Sequence, residues 1–354
     1  MTEILRALIN ASERAALVAR SCCNSDNKND LLVAEKSDGE ANARFEKDYK
    51  TIADVLAQEC IRKTLVTKFP ELTGHVRGEE CCEIGGTSIK LADTVDETAE
   101  LLTSLVHPSL AKRMAVAAHS DTKHPLHYQL PSDLPDVDVS DLGIWIDPID
   151  ATAEFIAGIN GTAALNKGLQ VVTVLIGAYR RSTGEPVIGV INQPFFNSSQ
   201  GRLLWGICYE GVKRWGGHNV ENFDLGTAGI YMSSAEDPLI RKTFMTICNI
   251  TDAAGAGNKL LGVALGDAIA YILSKSTTFL WDTCGPHAIL KARGGDVISF
   301  DTHASIQYNV PNSSDPQQFC NAGGIIAYGD SDQCVNSNLR DIKNIILKTL
   351  ANRK

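Results

Sequence analysis

Between residues 143 and 152 the chain reads Gly-Ile-Trp-Ile-Asp-Pro-Ile-Asp-Ala-Thr, and this stretch constrains the fold more than any other. Gly143 to Ile146 is a short apolar run of the kind that forms a strand. Pro148 fixes its own φ and biases Asp147 towards an extended conformation. Asp150, followed by Ala-Thr-Ala-Glu, can cap a short helix. Two carboxylates therefore arrive where a strand gives way to a helix. Such a place offers hard oxygen ligands for Mg²⁺ and, at the amides of Ala151 and Thr152, donors for a phosphate. The same residues also suit a plain turn, because Asp-Pro pairs and Asp caps are common there.

Around this point the pattern mixes helices and strands. Residues 3–20 read as an amphipathic helix with Ile4, Leu5, Leu8, Ala11, Ala15, Val18 and Ala19 on one stripe, and residues 24–43 as a surface loop. A second helix is expected from Arg44 to Lys68, ended by Pro70 and Gly74. Residues 78–98 take no clear assignment. Helices are expected at 96–105 and 110–118, a loop at 119–141, then strands at 169–176 and 187–191 and a hairpin at 203–215. Further on, strands near 230, 269–273, 277–281, 297–300 and 324–328 alternate with helices at 237–248, 258–265, 286–293 and 331–351, an α/β pattern. The length of 354 residues exceeds what one core usually supports, about 250–300. The expected division is an α+β domain over 1–225 and an α/β domain over 226–354.

Four further acidic or small-residue segments bear on chemistry. Asp54 lies about 200° around its helix from Ile52, away from the apolar stripe, which reads locally as a solvent-exposed acid. Gly78-Glu79-Glu80 reads locally as a solvated patch. Thr277 to Trp281 delivers Asp282, with Pro286 suited to the first turn of the next helix. In Asp252 to Lys259 the small residues let a ligand approach the backbone, or let the loop pack beneath a helix.

The net charge of -9 argues against a nucleic-acid polymer as partner. It leaves room for a small phosphate ester, because a bound metal inverts the field of one site. The ten cysteines form no C-x-x-C pair and read as reduced thiols of a cytoplasmic protein. The N-terminus reads as lacking a signal peptide, and no apolar run of about 18 residues suggests a membrane span.

Taken in order, Asp54, Gly78-Glu79-Glu80, Asp147 to Thr152 and Trp281-Asp282 resemble the signature of the lithium-sensitive, magnesium-dependent phosphatases, the inositol monophosphatase-like superfamily. The likeness spans roughly residues 1–350. It is closest to the branch that removes the 1-phosphate from inositol polyphosphates such as inositol 1,4-bisphosphate, through Lys50 to Glu59, Gly168 to Tyr179, Gly189 to Phe195, Ala253 to Lys259 and Thr277 to Leu290. The resemblance implies a layered α-β-α-β-α sandwich. It implies two or three Mg²⁺ ions held by Glu79, Asp147, the carbonyl of Ile149, Asp150 and Asp282, with Asp54 serving a further metal or the nucleophilic water. It implies catalytic roles for Asp54, Glu79 and Thr152 in direct in-line hydrolysis, and phosphate contacts from Ala151 and Thr152. Gly255, Ala256 and Lys259 would face the substrate, as would Ser233 and Ser234. Lithium inhibition and a monomer are implied as well.

The sequence departs from that pattern at a few points. Cys284-Gly285-Pro286 looks closer to the phosphatases of 3′-phosphoadenosine 5′-phosphate, and Ala151 stands where Gly or Ser is frequent. That nucleotide, a sugar bisphosphate, and a catalytically silent phosphoinositol-binding role are the alternatives.

Overall fold

The computed structural model of the chain describes residues 3–23, 31–37, 40–41, 47–121, 130–220, 229–311, 313, 315–329 and 342–351. The first half contains α1 (Glu3–Ser21), β1 (Val33–Glu35), β2 (Tyr49–Thr51), α2 (Ile52–Lys68), β3 (Val76–Gly78), β4 (Glu83–Ile84), β5 (Thr87–Ser88), α3 (Val95–Thr103) and α4 (Pro108–Ala118). Then come β6 (Leu142–Asp150), α5 (Thr152–Asn160), β7 (Thr173–Arg180), β8 (Pro186–Gln193), the irregular turn α6 (Phe196–Ser199), β9 (Arg202–Tyr209) and β10 (Val212–His218). The remainder is β11 (Ile230–Met232), α7 (Pro238–Met245), β12 (Ile250–Asp252), α8 (Ala256–Leu265), β13 (Ala270–Leu273), α9 (Leu280–Ala292), β14 (Asp296–Ser299), β15 (Ile325–Tyr328) and α10 (Ile342–Ala351).

Two sheets organise these elements. One runs β10-β9-β8-β7-β6-β3 and the other β12-β11-β13-β15-β14. Side chains alternate across the first sheet, as the two-residue period of a strand requires. Val174 and Ile176 join the core beneath α1, α2 and α4, whereas Leu175 joins the core formed with α8 and α9. The second sheet covers the other side of α8 and α9, through Tyr271, Val297 and Ala327. Its outer face carries Met232, Ile272 and Ile326 against Ile240 and Phe244 of α7 and Ile346 of α10. The layers are thus α-β-α-β-α. No described helix is long and apolar enough to cross a membrane.

Glycines set the depth of the middle layer. Gly177, Gly189 and Gly206 are paired across β7, β8 and β9. A Cβ on Gly206 would lie 2.7 Å from the Cα of Ile289, and one on Gly285 would lie 2.6 Å from the carbonyl oxygen of Ile176. Helix α9 therefore rests directly on sheet backbone, and Asp282 at its start is carried with it.

Several expectations need correction. The described part of the second helix begins at Ile52, not near Arg44; Tyr49–Thr51 is a strand paired with β1, and residues 42–46 lie outside the described residues. Asp54 is buried, because this helix is covered on nearly every side at its start. Thr277 to Trp281 is not a strand. A short apolar run does not distinguish a strand from a buried helix, and α9 already begins at Leu280, placing Pro286 inside it. The boundary expected at 216–229 falls largely on 221–228, and the start of the helix expected at 331–351 on 330–341, both outside the described residues.

Candidate metal centre

The carboxylates of Asp147 and Asp150 share one site because β6 is irregular. Residues three apart on a regular strand point to opposite faces. Here the β6–β7 register slips between Asp147 and Asp150, a bulge centred on Pro148 and Ile149. Pro148 has no N–H to give the ladder, so the slip costs it no hydrogen bond. The chain then turns through Ala151, which has a left-handed backbone (φ 70, ψ 47) and stands as the N-cap of α5.

Asp282, the third residue of α9, completes the cluster. One carboxylate oxygen from each of Asp147, Asp150 and Asp282 lies within 4.8 Å of the others, and all three residues are buried. Burial, reinforced by the charges of Glu79 and Asp150, holds the carboxyls of Asp147 and Asp282 well above the usual range. Asp150 is pushed up to about 6 by burial, against the pull of Lys259 and the Gly257 amide. Asp147 Oδ1 is buried with no hydrogen-bond partner. An unpartnered buried carboxylate oxygen, in a residue clustered with two other buried acids, is costly alone. A hard divalent cation satisfies all of them at once, so the donor set fits Mg²⁺.

The surroundings orient these ligands. Asp150 Oδ1 accepts from the Ala256 N–H at 3.2 Å, and its Oδ2 from the Gly257 N–H at 2.9 Å and the Thr173 hydroxyl at 3.2 Å. The N-terminus of α8 is therefore directed at Asp150. Asp282 Oδ2 accepts from the Phe279 N–H at 2.6 Å. Glu79 lines the same cavity as the three aspartates, 2.5 Å from Lys36 Nζ, which is also 3.0 Å from Glu80 Oε1 and 3.8 Å from Asp48 Oδ1. Burial opposes the charge on Lys36, but these three acids outweigh it and hold the ammonium protonated.

Asp54 sits behind the cavity wall. Its Oδ1 accepts from the Thr152 hydroxyl at 3.1 Å, which also lies 3.2 Å from the Ile149 carbonyl oxygen; its Oδ2 accepts from the Thr51 N–H at 2.8 Å. Burial raises the Asp54 carboxyl to about 6, against the two bonds from Thr51. Glu80 is turned inward and buried, with its carboxyl raised to about 8 by that burial.

Glu79, Asp147, Ile149, Asp150, Ala151, Thr152, Ser233, Gly255, Ala256, Lys259 and Asp282 all line one cavity of about 370 Å³. Ala151, Thr152 and Ala153 bring to it the start of α5, whose first N–H groups have no intrahelical acceptor. Ser234 is exposed and is not part of this wall. Lys259 Nζ donates to the carbonyls of Ala253 and Gly255, at 3.1 and 2.7 Å, so it shapes the loop as well as facing the cavity. Burial lowers it to about 8, with Asp150 and Asp282 opposing. Cys284, Gly285 and Pro286 are buried and do not line the cavity; they pack beneath it, where Gly285 meets β7 and β8. Gly257 falls in the small-residue segment 252–259 already expected to face a ligand, whereas Lys36, Thr51 and Thr173 are not among the expected site residues. Of these only Thr51 left a signal, a Thr-x-x-Asp capping box with Asp54.

The chain is 34% identical to the human inositol polyphosphate 1-phosphatase over 382 residues, covering 93% of this chain and 94% of the human protein. It is 28% identical to the human 3'(2'),5'-bisphosphate nucleotidase 1 over 327 residues, covering 89% and 91%. In fold it is similar to the extragenic suppressor protein suhB from Bartonella henselae, with a TM-score of 0.58 at 16% identity over 99% of both chains. It is also similar to an IMPase/NADP phosphatase complexed with Mg²⁺ and phosphate, with a TM-score of 0.51 at 12% identity, covering 91% of this chain and 87% of that one. The inositol monophosphatase family matches residues 1–343, nearly the whole length, including each carboxylate of the cluster, and the chain belongs to that family.

Proposed function

We propose that this chain removes the 1-phosphate from inositol polyphosphates such as inositol 1,4-bisphosphate, with two or three Mg²⁺ ions. Family membership and the polyphosphate 1-phosphatase relatives make it a phosphoric monoester hydrolase. The observation that carries the metal reading is the buried trio Asp147, Asp150 and Asp282, with Asp147 Oδ1 left without a partner. Asp147, Asp150, Asp282, Glu79 and the Ile149 carbonyl would hold the ions. Bound magnesium lowers the pKa of an attacking water and offsets charge on the leaving oxygen.

The protein's own groups do the placing. The Thr152 hydroxyl directs its proton to Asp54 Oδ1 and Ile149 O, so its lone pairs are free to accept a hydrogen bond from water at the start of α5. The leading amides of α5 face the same space and suit the phosphoryl oxygens. Gly255 has a positive φ of 76, and a Cβ there would lie 3.0 Å from Asp150 Oδ2, so glycine lets the loop before α8 close on that carboxylate at the cavity wall. Family resemblance is also the ground for expecting inhibition by lithium.

A nucleotide bisphosphate is the less favoured substrate. Its sequence support was Cys284-Gly285-Pro286, and these residues pack under the cavity without lining it. The test is the initial rate of Mg²⁺-dependent phosphate release from inositol 1,4-bisphosphate and, in parallel, from 3′-phosphoadenosine 5′-phosphate. A clear preference for the inositol ester is expected; a preference for the nucleotide would overturn the substrate assignment.

A further inference from the structure

Gln58 lies one turn after Asp54 on α2 and is buried. Its side-chain amide pairs with both main-chain groups of one residue. Gln58 Nε2 donates to the Glu80 carbonyl, and Gln58 Oε1 accepts from the Glu80 N–H at 3.0 Å. On the other side of this segment, the Glu79 N–H donates to the Ile146 carbonyl of β6 at 3.1 Å. The Glu79 peptide is thus fixed between the element that carries Asp54 and the one that carries Asp147. Beyond the end of β3 at Gly78, Gln58 takes the place of a neighbouring strand.

This pairing also accounts for the glycine before the two glutamates. Gly78 has no positive φ, so its backbone admits any residue. Yet a Cβ there would run into Gln58, overlapping Oε1 and Cδ and lying 3.1 Å from Cγ; no other residue is among its three nearest atoms.

We propose that Gln58 is a positioning residue for the metal centre, holding Glu79 at the distance from Asp147 that cation binding requires, and that Gly78 is glycine to admit the Gln58 amide. The inference rests on the metal reading given above. Groups that orient ligands typically change metal affinity about 10–100-fold when removed.

The test uses Gln58→Ala, Gly78→Ala and the double variant, with Mg²⁺ affinity by titration calorimetry and Tm measured with and without Mg²⁺. Each single variant is expected to bind Mg²⁺ at least about 10-fold more weakly while remaining folded. In the double variant the methyl on residue 78 no longer meets Gln58, so its affinity is expected to match that of Gln58→Ala alone. If one single variant fails to fold, the other and the double carry the test. A lower Tm with wild-type Mg²⁺ affinity would make Gln58 a structural residue only. Effects that multiply in the double variant would separate Gly78 from Gln58. Either result would overturn the proposal. A wild-type protein that binds no Mg²⁺ would instead overturn the metal reading on which it stands.

Discussion

Helix α9 begins at the cavity and α2 behind its wall, and each carries an acid at its third position, Asp54 in α2 and Asp282 in α9. Each acid turns one oxygen back to the N–H of the residue before the helix, Thr51 at 2.8 Å and Phe279 at 2.6 Å. Beyond that the two diverge. Asp54 gives its second oxygen to Thr152, and its cap is closed by the Thr51 hydroxyl, 3.1 Å from the Ala53 N–H. Phe279 offers no capping side chain, and Asn321 Nδ2 instead steadies its carbonyl at 3.0 Å. Asp282 is left facing Asp147 and Asp150. One local motif thus serves two ends, and what stands opposite the free oxygen decides which. Under the proposed function, the acid opposite a hydroxyl would orient water, and the acid opposite two more carboxylates would bind a cation.

The largest effect should come from breaking the α9 side. Asp282→Asn is expected to lower turnover about 1,000-fold, within what loss of a preorganised charge at a reaction centre can cost, and to abolish the rise in Tm on adding Mg²⁺. Asp54→Asn should lower turnover about 100-fold, as for a group that acts through proton placement, while Mg²⁺ still raises Tm. If Asp54→Asn also abolished that rise, Asp54 would be a ligand and the contrast would fail.

Protonation sharpens the same contrast. The carboxyls of Asp54 and Asp150 are raised to about 6, chiefly by burial. Their unfolded values lie near 3.9. Between these limits the folded, metal-free state holds protons that the unfolded chain has released, so these groups favour the fold at low pH. That contribution is fully present below about pH 4 and is lost as pH rises through about 6, on the order of 2–3 kcal/mol for each group. Metal binding expels the protons. The gain in Tm from Mg²⁺ should therefore be larger near pH 7.5 than near pH 5, and Asp150→Asn should reduce the difference.

Two smaller changes probe the helix starts. Thr51→Ala should cost about 1 kcal/mol of stability, the usual value of a lost N-cap, measured by denaturant unfolding. Ala151→Gly should add up to about 1 kcal/mol, because glycine adopts the left-handed backbone of residue 151 without steric penalty. A loss of stability in that variant would show that the Ala151 methyl is needed.

Some of this was legible in the sequence because it depends on local pattern. The stripe of α1, the strand entering Asp147 and the alternation after residue 229 follow from periodicity and turn residues. The burial of Asp54 was not legible, because an angle around a helix shows which side is apolar but not how many neighbours cover the other sides. The slip between Asp147 and Asp150 was hidden as well, since register is a property of two strands and the partner β7 lies more than twenty residues away. The start of α9 at Leu280 was masked by apolar residues that owe their character to packing with Trp145 and Tyr179 of the first sheet and with Tyr308 and Phe319. Thr94-Val95-Asp96-Glu97 is a capping box that marks the start of α3, and it lay within the stretch left without assignment.

The most direct measurement is Mg²⁺ titration by calorimetry, near pH 7.5, of the wild-type protein and Asp282→Asn side by side. The wild type should bind Mg²⁺ saturably with release of protons, and the folded variant should not. Equal binding by both would contradict the assignment of the metal to the trio of Asp147, Asp150 and Asp282.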